Sequence, residues 1–208
     1  QYTLDQTNST TNVSGISIGN GFSNITIING RIRNVTGNGI IITPTSTNSE
    51  KITIENIVFE NCGLAGLTIQ GSGGFSTQNL VVRNCTFLDC GRNSAATDIA
   101  RVSGDGATLD TILIIQRPTT SILGGSRNAL KIDGTQNSVF KAIRIAGIQS
   151  TGALVGVDAG TSSGIQSCLF QDISITDLRS TSGNTTGMIV SGCQNSLFSR
   201  CIINNCIG

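Results

Sequence analysis

Histidine and tryptophan are absent from this 208-residue chain, methionine and tyrosine occur once each, and proline twice. Without histidine there is no His-based catalytic triad, no His-liganded zinc and no imidazole general base. Charge is also scarce. Thirteen basic and twelve acidic side chains make up 12% of the residues and leave a net +1. That excludes the polyelectrolyte footprint of a surface built for nucleic acid or an anionic membrane. No apolar run approaches the roughly eighteen residues of a bilayer span. Apolar residues do not recur at i, i+4 and i+7, so amphipathic helices are not expected either. The chain opens on Gln1 and shows no signal-peptide pattern, and is expected to be a processed product or an excised fragment.

What the sequence does have is a repeat. Ile25–Val35, Ile52–Cys62 and Leu80–Cys90 can be laid over one another, starting 27 and 28 residues apart. The pattern continues through Leu109–Ile114, Phe140–Ile148, Phe170–Leu178 and Phe198–Cys206. Four columns run down the alignment. The first is Ile27, Ile54, Val82, Leu109, Phe140, Phe170, Phe198, and three residues on come Gly30, Ile57, Cys85, Ile112, Ile143, Ile173, Cys201. Two further lie Ile32, Phe59, Phe87, Ile114, Ile145, Ile175, Ile203, and the last is Val35, Cys62, Cys90, Arg117, Ile148, Leu178, Cys206. The +2 step is strand alternation, and the +3 steps carry the chain round a corner.

Each coil holds a further short strand opened by a small residue, as in Gly39–Ile42, Gly66–Ile69, Ala129–Ile132 and Gly187–Val190. Short β segments every 27–31 residues, with no helix for a βαβ crossover, describe an all-β parallel solenoid of about seven coils. A β-sandwich would not keep equivalent residues in register for seven turns. Stacked Ile, Val and Phe fill the narrow interior. Asn29, Asn56 and Asn84 mark one corner, where their amides can bond one another and tolerate a left-handed backbone. Residues 1–15 are expected to be an irregular lead-in and 16–208 the solenoid, as part of a longer chain or assembly.

The coil signature Asn-Ile-Thr-Ile-x-Asn-x-x-Phe/Ile-x-Asn-Cys resembles that of the right-handed parallel β-helix proteins of the pectate-lyase-like superfamily, over roughly residues 16–208. The resemblance implies three strands per coil, right-handed winding and carbohydrate as the usual ligand. Members include pectin-degrading lyases and hydrolases, phage tailspikes and surface adhesins. The polygalacturonase-like set of Asp pairs, Gly-His-Gly and Arg-x-Lys is missing. Ser103–Thr111 looks like the Gly-Asp-Gly-x-Thr-Asp-Asp-Thr segment of tailspike-like helices, but follows three coils and has Leu109 in place of an Asp. A shared scaffold transmits no activity.

Function is expected on the outward ridges and insertions, because the interior is committed to packing. Residues 91–108 and 116–128 read as extra loops around the coil at Leu109–Ile114. Arg117, followed by Pro118, takes a position that is apolar in other coils, either at a local turn or pointing into a pocket. Lys131-Ile-Asp133 and Gly156-Val-Asp158 place two carboxylates after the same strand of neighbouring coils. At strand spacing the two would repel, suiting an acid/base pair or a cation site, with an ordinary Asp-Gly turn as the alternative. Arg101, Arg117 and Lys131 are the expected ligand-binding cations, Arg101 and Lys131 for a uronate or sialate, and Asp133 and Asp158 the candidate catalytic pair. Asp98, Asp105 and Asp110 are a weak calcium candidate with no recognised loop spacing, so no metal site or cofactor is assigned.

Seven cysteines leave at least one thiol free. Cys62, Cys85, Cys90, Cys201 and Cys206 fall in inward columns as core filling, with Cys62 and Cys90 near enough for a disulfide. Sequons stand at Asn8, Asn12, Asn24, Asn34, Asn84 and Asn184. Together these features lead to the expectation of an extracellular, cell-surface or virion structural module. It would be adhesive and glycan-binding, assembled as a homo-oligomer or fibre, with no nucleic acid and no membrane insertion. A polysaccharide lyase or glycoside hydrolase working through the ridge carboxylates is the alternative.

Overall fold

The structure, a computed structural model, describes residues 2–6, 11–93, 98–118, 122–160 and 164–208. Asn8 and parts of both expected insertions, 94–97 and 119–121, lie outside the described residues. Two sheets carry the fold. Among the described residues the longer has 11 strands and takes Tyr2–Asp5, Ser23–Arg33, Ser49–Glu60, Val81–Leu88, Thr108–Ile115, Val139–Ala146 and Leu169–Ser180 in turn, then Leu197–Ser199 and Ile202–Ile207, with Thr77–Gln78 beside Ser49–Glu60 and Gln149–Ser150 beside Leu169–Ser180. The second stacks Ile16–Ile18, Ile40–Ile42, Leu67–Ile69, Asp98–Ser103, Arg127–Asp133, Leu154–Ala159 and Thr185–Val190. Each strand pairs in parallel with its neighbours, and the chain winds as a right-handed solenoid of about seven turns. Among the described residues no helix is long and apolar enough to cross a membrane.

The inward columns are register partners down the stack. Ile27, Ile54, Val82, Leu109, Phe140, Phe170 and Phe198 pair in sequence. So do Ile32, Phe59, Phe87, Ile114, Ile145, Ile175 and Ile203. The rings of Phe140, Phe170 and Phe198 form a file with centroids 4.9 and 4.6 Å apart, and Phe59 and Phe87 stack at 4.8 Å. These spacings match the separation of neighbouring strands in a sheet, so rings on successive coils stack face to face in the interior. The second column loses its side chain at Gly30 because the Tyr2 ring occupies that space; a Cβ there would lie 2.4 Å from Tyr2 Cζ. Tyr2–Asp5 therefore belongs to the long sheet, paired with Gly30–Arg33, and the expected irregular lead-in is a strand at this point. Asp98–Ser103 likewise corrects the expected loop 91–108.

The +3 steps have a conformational cause. One residue with positive φ stands between the two inward positions and turns the strand without ending it. Such residues recur every five positions along the long strands: Asn24, Asn29, Asn34 in one coil, Lys51, Asn56, Asn61 in the next, then Asn79, Asn84, Asp89. Asn and Asp fill most of them because their short polar side chains tolerate this backbone. Asn56 Nδ2 donates to Asn29 Oδ1 at 3.0 Å, and Asn61 Nδ2 to Asn34 Oδ1 at 2.7 Å. Asn29, Asn56 and Asn84 are exposed, so backbone conformation rather than amide burial selects Asn there. In the coil Leu197–Ile207 the inward columns lie open. Phe198 is 38% and Ile203 50% exposed, and Cys201 is exposed where core filling was expected.

Candidate functional site

The outward face of the second sheet carries one column of register partners: Ile41, Thr68, Arg101, Lys131, Asp158 and Ile189. This column corrects the expected carboxylate pair. Asp158 faces Lys131, and Asp133 lies two residues further along, opposite Ser103. The two acids are therefore not at strand spacing. Each is instead matched to a cation on the adjoining coil: Arg101 Nη2 is 2.6 Å from Asp133 Oδ2, and Lys131 Nζ is 2.6 Å from Asp158 Oδ2. Lys131 is also 3.9 Å from Asp133 Oδ1, and Arg101 Nη1 is 3.8 Å from Asp98 Oδ2. Asp98 accepts a further bond from Asn128 Nδ2 at 2.9 Å. Five charges thus run as a continuous chain, Asp98, Arg101, Asp133, Lys131, Asp158. Their side chains are between 6% and 25% exposed, so solvent ions screen these pairs less than they screen an open surface salt bridge.

Two interior members of this chain, Arg101 and Asp133, border a groove of about 380 Å³, whose lining also includes Gln70, Phe75 and Ser103. The far wall is the loop Gln70–Ser76, which leaves the strand Leu67–Ile69. It is tied down along its length, from Gln70, whose N–H donates to the Ile42 carbonyl, to Ser76, whose carbonyl accepts the Ser49 N–H. Gly71 N–H donates to Ser103 Oγ at 3.4 Å, Ser72 N–H to the Pro44 carbonyl at 3.1 Å, and Ser76 N–H to Asn48 Oδ1 at 3.0 Å. Between these ties a turn closes from Phe75 N–H to the Ser72 carbonyl at 3.2 Å. The turn requires glycine: Gly73 and Gly74 have φ of +65° and +86°, and a Cβ at Gly71 would lie 1.7 Å from the Phe75 carbonyl oxygen. Phe75 itself stays half-buried against the groove.

Of the residues singled out from sequence, Arg101 and Asp133 line this groove, while Lys131 and Asp158 stand beside it on the same face. Arg117 is elsewhere. Its side chain is 46% exposed at the corner of the long sheet, where Nη1 is 3.1 Å from Glu60 Oε1 and Nε bonds Asp89. Asp89, 2% exposed, also accepts the Arg117 backbone N–H at 2.8 Å, and this pairing holds the guanidinium above its ordinary pKa. The inward position expected for Arg117 is thus not filled by its side chain. The groove wall Gln70–Ser76 was missed by sequence reasoning; three glycines in four residues directly after a strand were the available signal.

The calcium candidates do not converge. Asp98 is held by Arg101 and Asn128, Asp110 Oδ2 lies 3.1 Å from Lys141 Nζ, and Asp105 Oδ1 accepts Gln136 N–H at 3.1 Å across an ordinary Gly-rich turn. Among the described residues no group of three His, Cys, Asp or Glu side chains is placed to hold a metal ion. All seven cysteines are free thiols. Cys62 is pushed well above its ordinary pKa, first by its hydrogen bond with Cys90 and then by burial, and burial takes Cys85 up to about 11. Neither is a poised nucleophile.

A family model described as a right handed beta helix region matches residues 2–111. No curated protein matches the chain. Among solved structures, the A-module of the mannuronan C-5 epimerase AlgE4 of Azotobacter vinelandii is similar at 11% identity and a TM-score of 0.18, covering 86% of this chain. The chain spans 64% of that module, and a likeness at this level has no bearing on activity.

Proposed function

The chain belongs to the right-handed β-helix family, and from that premise we propose that it is a non-catalytic glycan-binding module. In this reading it serves a structural or adhesive role on an extracellular, cell or virion surface. The observation that carries the reading is the groove beside the second sheet. There the loop Gln70–Ser76, with its one aromatic ring, faces polar side chains held on two neighbouring strands, a concave surface with a few convergent polar groups. A regular face of stacked coils, repeated turn after turn, also suits an extended polymer better than a compact metabolite.

The lyase or hydrolase reading has one observation in its favour, that Asp133 lines the groove. Against it, both ridge carboxylates are held by cations at 2.6 Å. Catalysis by a carboxylate pair needs one acid protonated and the other free, which opposed environments create and a run of ion pairs does not. A polysaccharide panel scored in parallel for binding and for turnover tests the proposal. The expected result is retention on at least one polysaccharide, with no new reducing ends and no unsaturated product. Turnover abolished by Asp133→Asn would replace the proposal with the enzyme.

A further inference from the structure

We infer that the groove takes a neutral saccharide and rejects an acidic one, an inference that rests on the glycan-binding reading above. Sequence reasoning expected Arg101 and Lys131 to recognise a uronate or sialate. Their surroundings argue otherwise. Arg101 is engaged by Asp133 at 2.6 Å and Asp98 at 3.8 Å, and Lys131 by Asp158 at 2.6 Å and Asp133 at 3.9 Å. Two cations are thus set against three carboxylates, so this face has no surplus positive charge to offer an anion. Within the lining itself Arg101 and Asp133 balance.

A carboxylated sugar would pair with Arg101 only by displacing Asp133. Asp133 is 8% exposed, and losing its 2.6 Å partner would leave a buried carboxylate with Lys131 at 3.9 Å, beside an incoming negative charge. A neutral sugar meets no such conflict. Its hydroxyls can donate to the carboxylate and accept from the guanidinium while the ion pair stays closed, since both groups keep further hydrogen-bonding capacity. Ser103 and Gln70 add neutral polar groups, and Phe75 supplies an apolar face for the C–H side of a pyranose ring. At Gly74 the backbone is open, with nothing within 4 Å of where a Cβ would stand.

The inference is tested by immobilising neutral polysaccharides (a mannan, a galactan, a β-glucan) and acidic ones (polygalacturonate, alginate, polysialate) and measuring binding of the full chain at low and high salt. Neutral polymers are expected to bind with affinity indifferent to salt. Phe75→Ala should weaken that binding about tenfold, with the melting temperature confirming that the variant is folded. Asp133→Asn is the diagnostic variant. It removes the carboxylate nearest the Arg101 guanidinium, leaving Asp98 at 3.8 Å and the groove lining with a net positive charge, and should confer salt-sensitive binding to acidic polymers that the natural chain does not bind. Salt-sensitive preference of the natural chain for acidic polymers would overturn the inference while leaving the glycan-binding reading intact. Retention on none of the polymers would overturn that reading, and the inference with it.

Discussion

Lys131 Nζ lies 2.6 Å from Asp158 Oδ2 on the following coil and 3.9 Å from Asp133 Oδ1 on its own strand. The lysine therefore ties two coils together as well as neutralising the acids around it. Lys131→Met removes the cation from a carboxylate that is only 16% exposed, and is expected to destabilise the fold by about 1–3 kcal/mol. Lys131→Met with Asp158→Leu removes both charges and should recover most of that loss. A double-mutant cycle in urea measures the coupling. Additive effects would mean that the two side chains do not interact in solution.

Asn56 makes a second coil-to-coil contact, through its 3.0 Å bond to Asn29 from a backbone at φ 54°. Conformation and hydrogen bonding make different predictions here. Asn56→Gly loses the bond but keeps easy access to the left-handed region, whereas Asn56→Ala loses both. Because the pair is exposed, the backbone term should dominate, and Ala is expected to be less stable than Gly by about 1 kcal/mol. Equal melting temperatures for the two variants would shift the explanation to the amide ladder.

The fold was legible because a solenoid repeats its requirements. Each coil must supply side chains of matching size at the same positions, so the columns from Ile27 to Phe198 and from Ile32 to Ile203 could be read off before any coordinates. The site was less legible because register on the second sheet had to be fixed from three- or four-residue strands. Matching Asp133 to Asp158 by their place after a strand ignored the small openers: Ala129 and Gly156 align, and that brings Asp158 opposite Lys131. In the coil before, Ile99 takes the position of the small opener, which hid the strand Asp98–Ser103 and with it the placement of Arg101. The five-residue recurrence of left-handed corners was present in the Asn pattern, but only one of its three columns was recognised.

Those small openers have a packing reason that can be tested. A Cβ at Gly66 would lie 2.5 Å from Phe87 Cδ1 and 3.0 Å from Phe59 Cβ, the two stacked rings of the core. Gly66→Ala must push the stack aside and is expected to cost about 1–3 kcal/mol. Gly66→Ala with Phe87→Leu, which withdraws the ring edge, should be closer to the natural chain than the sum of the two single variants. Chemical denaturation of the four proteins gives the answer, and strict additivity would place the strain elsewhere.

Acid should loosen the two ends of the solenoid before its middle. At the first strand, Asp5 is held below its ordinary value of 3.8 chiefly by the Asn34 amide, which donates to it at 3.0 Å, and then by Arg33. In the penultimate coil, Asp172 is held below 3.8 by Arg200, whose Nη2 lies 2.7 Å from its Oδ2. Both carboxyls have lower pKa values folded than unfolded. Their contribution is therefore fully present above about pH 4 and is lost as pH falls through their folded values. Both are exposed, so the contribution is modest and screened by salt, and the expected outcome is local opening rather than global unfolding. Hydrogen exchange on descent below pH 4 should show faster exchange in Tyr2–Asp5 and Ile202–Ile207 while Val81–Leu88 and Thr108–Ile115 stay protected. Asp172→Asn should make exchange in Ile202–Ile207 insensitive to pH over that range. Uniform loss of protection along the whole stack would show that the ends are not held by these two carboxylates.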